Sequence, residues 1–294
     1  MSTYAKRQGR VFKTPVTTYV QPETGRRVTI VSVMHIGLPS YFAGLREVIK
    51  EKEAAGAVVH CEGTGLEQLT PELVKEPLAS TTLDAKAREL LARIPELTDD
   101  EREVLLAMAD KELLMRRRVG ELGWVEQMDK EGGLPTEPHW ENIDITVQDI
   151  IHRLGPDTLL YRTRHAMKML EWPEGDTVKP NAFRLQVALF CRATASNKQR
   201  IQTKLRTGPY DAVLLERREK VALDGLHAAS TDVVLLWGAM HLPAFEADLL
   251  SRGYTQENQT WHTACVMPSI TAALLRMLVR WDPGGRSAVQ DVAG

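Results

Sequence analysis

Asp232–Pro243 reads DVVLLWGAMHLP, and the fold follows from how this stretch is read. Val233 to Gly238 is an uninterrupted apolar run, long enough for one strand buried on both faces, as in a parallel sheet covered by helices. Gly238 ends the run, and His241 stands three residues on. Open α/β sheets build their sites at the carboxyl ends of such strands. A glycine there lets the backbone turn sharply or come close to a ligand. Taken singly, a histidine in this place is more commonly a core residue satisfied by a backbone carbonyl.

A second stretch repeats the pattern. Val28–His35 reads VTIVSVMH, again an apolar run that ends on Met-His. Both stretches continue through a proline, an aromatic residue and an apolar-periodic helical segment. The shared order of strand, MH, short Pro loop and helix predicts a fold of two related halves.

Two further apolar runs end on acids. Ala57–Glu62 reads AVVHCE and leads into Gly63-Thr64-Gly65, and Asp211–Arg217 reads DAVLLER. Four predicted strands therefore end at His35, Glu62, Glu216 and His241. Two imidazoles and two carboxylates suit a divalent transition metal, and strand ends hold such groups rigidly. Each residue also has a plainer role open to it: Glu216 can pair with Arg217 or Arg218, and Glu62 can cap the next helix.

The chain has 294 residues, with 43% hydrophobic and 26% charged, an ordinary globular mixture. A net charge of -2 gives no field that would draw it to nucleic acid or anionic lipid. Three cysteines, Cys61, Cys191 and Cys265, are far apart without a CxxC pair. That is neither a disulfide framework nor a zinc site, and it predicts a cytoplasmic location. No secretory signal is visible at the start and no apolar run is long enough to span a membrane. Ile270 to Trp281 reads as an amphipathic helix, broken in hydrophobicity by Arg276 and Arg280.

In chain order, residues 1–65 form the first α/β half. A strand at Val16–Val20 and a turn at Pro22–Gly25 lead into the first buried strand. A helix runs from about Tyr41 to Ala55 and stops at Gly56, and the β-α-β order calls for a parallel pair with a right-handed crossover. Residues 66–208 change character: helical periodicity dominates. Thr98–Glu101 is a capping box, Thr146 caps a helix over Val147–Leu154, and a further helix spans Pro180–Leu205. This segment is expected to be a helical insertion or cap over the strand ends. Between its helices, His139, Trp140, Asn142 and Asp144 cluster in a polar loop, where Asp144 is either a site residue or a helix cap. Residues 209–282 form the second half, with a final strand at His262–Met267, and 283–294 read as a disordered tail.

These motifs together resemble the TraB/PrgY family, also called TraB/GumN-like. That family is similar to the TIKI ectodomain proteases and, more remotely, to the erythromycin-esterase (EreA) and ChaN-like fold. The resemblance covers about Val28 to Tyr254. It rests on Gly238-Ala239-Met240-His241, its counterpart Ser32-Val33-Met34-His35, Glu62, the pair Glu216-Arg217, and Asn142-Ile143-Asp144. The first motif departs from the pattern by placing Ser32 where glycine is usual, and Glu62 sits in HCEGTG.

The resemblance implies an α/β fold with a mainly parallel central sheet built from two βα halves. It also implies a metal-dependent, peptidase-like hydrolase using a divalent ion (Mn, Co or Zn). His35 and His241 would hold the ion with Glu62 or Glu216 as third ligand, and the other carboxylate would take a proton from water. Arg217 would stabilise an oxyanion or simply pair with Glu216. The alternatives are a non-catalytic protein that sequesters a peptide, as PrgY-like proteins are thought to do with pheromones, and haem binding as in ChaN-like relatives. The expected partner is a peptide or small-molecule substrate, without nucleic acid or stable membrane insertion, and with a homo-oligomer left open.

Overall fold

The computed structural model describes residues 5–75, 85–176, 178–196 and 212–266. The expected helix beyond Ser196, the amphipathic segment 270–281 and the tail 283–294 lie outside the described residues. The strands are β1 (Lys6–Gln8), β2 (Val11–Val20), β3 (Arg27–Val33), β4 (Ile36–Gly37), β5 (Val58–Cys61), β6 (Val125–Glu126), β7 (Glu141–Asn142), β8 (Val233–Gly238) and β9 (Thr255–Val266). The fold is mixed α/β. Its sheet has a parallel core, β3-β8-β5-β7, extended at the β3 side by antiparallel β2, which also pairs with β1 and β9.

β8 is buried at every position and occupies the centre, with β3 on one edge and β5 on the other. The strand read from the second half of the chain is thus inserted between two strands of the first. β3 and β5, expected as direct neighbours, are each parallel to β8 instead. The apolar Val-Leu composition of β8 explains its position, because only a strand covered on both faces and paired on both edges removes so continuous a run from water.

Register brings the strand ends together. Val33 of β3 lies opposite Gly238 of β8, Cys61 of β5 lies opposite Leu236, and the Glu62 N–H continues the ladder to the Leu236 carbonyl at 3.0 Å. The next polar residues on each chain, His35, His241 and Glu62, are therefore delivered to one end of the sheet.

The helices are α1 (Pro39–Ala54), α2 (Pro71–Lys75), α3 (Ala85–Arg93), α4 (Asp99–Glu121), α5 (Val147–Leu154), α6 (Pro156–Leu170), α7 (Val178–Ser196), α8 (Arg218–Ala228) and α9 (Leu242–Ser251). α1 begins with Pro39 at its first turn, buries Tyr41, Phe42, Leu45 and Ile49 along one stripe, and is closed by Gly56 at φ +93°, as its pattern predicts. α4 and α5 start at capping boxes on Thr98 and Thr146. A second apolar cluster includes Leu90, Val104, Leu105, Ile145, Ile151 and Leu159, with Val213, Leu214 and Val221 packed against it. Among the described residues no helix is long and apolar enough to cross a membrane.

One expected strand is not a strand. Ala212–Arg217 forms a π-helical turn that runs directly into α8. The reason is visible in the burial of α8 at Glu219, Ala222 and Leu226, a spacing that belongs to a helix face and not to an extended chain.

Tyr41 couples α1 to the end of β3. Its hydroxyl accepts from the Met34 N–H at 3.0 Å and from Thr14 Oγ1 at 2.8 Å, and donates to the Ser32 carbonyl at 3.3 Å. Replacing it with phenylalanine leaves these buried partners unpaired, which costs about 1–3 kcal/mol. Urea denaturation of Tyr41→Phe is expected to show that loss, and an unchanged midpoint would contradict it.

Candidate active site

Glu62 is the meeting point. One carboxylate oxygen, Oε1, pairs with Arg218 Nη2 at 2.7 Å, and the other, Oε2, accepts the Gly238 N–H. His241 Nε2 lies 3.9 Å from Oε1. A Cβ built on Gly238 would stand 3.0 Å from Glu62 Oε2, 3.1 Å from His35 Nε2 and 3.6 Å from His241 Cδ2. Glycine at the end of β8 is therefore the condition for His35, Glu62 and His241 to converge on one backbone atom.

The two imidazoles are oriented by acceptors on their far sides. His35 Nδ1 lies 2.8 Å from Gln127 Oε1, and His241 Nδ1 lies 3.2 Å from Glu219 Oε1. An amide oxygen and a carboxylate can only accept, so each Nδ1 carries a proton, and in the neutral ring the lone pair is on Nε2. The Gln127 N–H also donates to the His35 carbonyl at 2.8 Å, and β4 pairs with β6 just beyond, so the loop carrying His35 is tied to the loop after α4. His241 is buried and packs edge-on against Trp237 and face-on against Phe245. His35 is solvent-facing.

Arg218 joins the cluster to the insertion. Its Nε donates to both Asp144 oxygens at 2.9 and 3.1 Å, and its Nη2 pairs with Asp144 as well as with Glu62. Asp144 is further held by the N–H groups of Gly63 at 3.1 Å and Ile145 at 2.7 Å. The guanidinium lies 5.6 Å from the Trp237 ring centroid.

These contacts set the charges. Burial alone would push the Glu62 carboxyl up. The Arg218 cation, His35, His241 and the Gly238 N–H outweigh burial and hold it down at about 2, so Glu62 is ionised. Burial disfavours the Arg218 cation, but Glu62, Asp144 and Glu67 more than offset that and raise its pKa.

The structure thus brings His35, Glu62 and His241 to one place and leaves Glu216 and Arg217 exposed. The helical path of 212–217 turns these two away, and the next two residues, Arg218 and Glu219, reach the cluster. Of the polar loop, Asp144 belongs to the site, while His139 and Trp140 bind Glu53 of α1 at 2.8 and 2.9 Å. Sequence reasoning missed Arg218, Glu219 and Gln127. The helical spacing of Glu219, Ala222 and Leu226 was a signal for Glu219. Gln127, in a loop, had none.

The donor types, two imidazole nitrogens and a carboxylate, suit a first-row divalent ion. As arranged, they are an ion-pair cluster: Arg218 already balances the Glu62 charge, and among the described residues no group of three or more His, Cys, Asp or Glu is placed to hold a metal ion.

Two cavities meet at the cluster, sharing His35, Glu62, Leu214 and Arg218 as walls. One, of about 280 Å³, is otherwise mostly apolar, with Phe12, Val33, Phe190, Leu215 and Met240. The other, of about 370 Å³, has a mixed lining, in which Glu67, Lys111, Glu112, Glu126 and Gln127 stand among Met108, Met115, Met128 and Ile150. Burial, with Glu112 adding to it, pushes the Glu126 carboxyl up to about 7 against Arg116, His35 and the Met128 N–H. α4 contributes Met108 and Met115, α5 Ile150, and α7 Phe190, so side chains from three helices line these cavities.

The depressed Glu62 pKa has a thermodynamic consequence. Its stabilising contribution is fully present above the ordinary value of 4.5 and is lost as pH falls through about 2. Chemical denaturation of wild type and Glu62→Gln across that range is expected to show a stability gap that narrows steadily toward acid. A gap that is constant or widens would contradict an ionised, Arg218-paired Glu62.

Comparison with protein-family models, curated proteins and solved structures finds no match to this chain, so the reading of the site rests on its own geometry.

Proposed function

We propose that the chain is a hydrolase that cleaves an amide or ester, peptidase-like in chemistry, at the His35–Glu62–His241–Arg218 cluster. The observation that supports this most is the pair of imidazoles whose Nδ1 atoms are tied to acceptors, Gln127 and Glu219, with both Nε2 lone pairs left on the side of an ionised Glu62. Groups held in that state take protons from water. The EreA/ChaN-like arrangement and the membership of TraB/PrgY implied by the sequence motifs belong to this reading.

His35, solvent-facing and at the wall of both cavities, removes a proton from the attacking water through Nε2. Glu62, whose carboxylate shares the space beside Gly238 with His35 Nε2, stabilises by its charge the imidazolium that forms. Arg218 Nη1, which makes no hydrogen bond to a described residue, is the donor available to a developing oxyanion. This assigns to Arg218 the role that the sequence alone suggested for Arg217. The proton on His35 then passes to the departing nitrogen or oxygen. His241, buried, holds the far side of Glu62.

A metal-dependent form of the reading is favoured by the same Nδ1 contacts, because acceptors on the far nitrogen are the usual support of metal-bound histidines. Mn, Co or Zn would be taken by His35, His241 and Glu62, with Glu62 released from Arg218, and would supply Lewis-acid polarisation and a more acidic water. A non-catalytic peptide binder is the alternative, favoured by the apolar character of the smaller cavity.

Release of product from fluorogenic peptides and esters is expected in wild type and is expected to fall by about 10²–10⁴-fold in His35→Ala. Equal rates in the two proteins would overturn the hydrolase reading, and binding without turnover would favour the binder. Chelator-treated protein given Mn, Co or Zn distinguishes the two forms. A rise in unfolding temperature that vanishes in both His35→Ala and His241→Ala marks an ion held by these residues, since a ligand bound only to the folded state stabilises it. No shift with any of the three leaves the metal-free form.

A further inference from the structure

The cluster stands between two cavities, one almost wholly apolar and the other of mixed lining, and nothing in the hydrolytic chemistry itself requires that. On the apolar side, Phe12, Val33, Phe190, Leu215 and Met240 form most of the wall, and apart from Thr14 its polar side chains are His35, Glu62, Arg218 and His241 of the cluster, where the reacting bond must lie. On the other side, the same His35, Glu62 and Arg218 face Lys111, Glu112, Glu126 and Gln127. A substrate centred on the cluster has one substituent in a medium that rewards only apolar surface. Its other substituent lies where Lys111, Glu126 and Gln127 offer polar partners among methionine and isoleucine side chains.

We propose that the substrate is an amide or ester that joins an apolar acyl chain, seated in the cavity of Phe12, Leu215 and Met240, to a leaving group with a polar head that reaches Lys111, Glu126 and Gln127. The inference rests on the hydrolase reading for its chemistry and on the two cavities for its selectivity. Water oxygen bonds to the acyl carbon, the bond from that carbon to the leaving nitrogen or oxygen breaks, and the proton taken by His35 goes to the leaving atom.

The acyl side is the one that free energy makes measurable. Each methylene moved from water into an apolar cavity is expected to raise affinity or kcat/KM about fourfold, until the cavity is full. Two arms read this separately. In the binding arm, butanamide, hexanamide and octanamide, which carry the acyl group without a cleavable leaving group of interest, are titrated against the unfolding temperature. In the kinetic arm, nitrophenyl esters of the same chain lengths are compared by kcat/KM. Leu215→Trp, which fills the apolar cavity, and Phe190→Ala, which removes part of its wall, are run beside wild type, with circular dichroism to confirm that each folds.

A chain-length gain in both arms that flattens in the two variants is the expected result. Amides that bind with the gain while no ester is hydrolysed would uphold the acyl cavity and overturn the hydrolase reading. Esters hydrolysed at rates independent of chain length, with amides giving no graded shift, would overturn the acyl cavity and leave the hydrolase reading in place. No hydrolysis and no graded binding would overturn both.

Discussion

The Arg218 guanidinium, held between Glu62 and Asp144, is the interaction on which the site depends. It joins three parts of the chain that are distant in sequence: the end of β5, the loop before α5 and the first turn of α8. Both carboxylates have little exposed side-chain surface, and a buried charge without a partner is strongly unfavourable. Two carboxylates and one guanidinium satisfy that demand only together, with the Gly63, Ile145 and Gly238 N–H groups taking up remaining oxygen lone pairs. Truncating Arg218 would leave two acids facing each other, a change of the kind that costs about 3–5 kcal/mol. The same contact that ties the loop before α5 to the end of β5 keeps Glu62 ionised between the histidines. Stability and chemical readiness are here one electrostatic arrangement.

The sheet supplies the rest. Three parallel strands end side by side, and the ladder places His35, Glu62 and His241 at one rim without any long loop. Gly238 leaves the space that these side chains share. The imidazoles are then aimed by groups from outside the sheet, Gln127 after α4 and Glu219 in α8. The division of labour is physical: rigid strands set position, and hydrogen bonds from the helical layer set tautomer and direction.

How far this could be read from the residues alone depended on which force decided each element. Val233–Gly238 and Val28–Val33 were legible because continuous apolar runs have few alternatives to a buried strand. Thr98 and Thr146 were legible because capping is local chemistry. Ala212–Arg217 misled, since a short apolar run is compatible with strand or helix until its neighbours are considered, and its helical path moved the site from Glu216 and Arg217 to Arg218 and Glu219. The insertion of β8 between β3 and β5 was not legible, because strand order is a long-range choice that no local pattern encodes. Gln127 was invisible for the same reason. It matters only through the β4–β6 pairing that brings its loop to His35.

Gln127 and Glu219 hold His35 and His241 with a proton on Nδ1, which in the neutral rings leaves the lone pair on Nε2. Nitrogen-15 NMR of the histidine rings, recorded well above the ordinary imidazole pKa so that both rings are neutral, reads this directly. The Nδ1–H tautomer is expected for both residues, shifting toward the Nε2–H form at His35 in Gln127→Leu and at His241 in Glu219→Leu. A dominant Nε2–H tautomer at either histidine in the wild-type protein would contradict it.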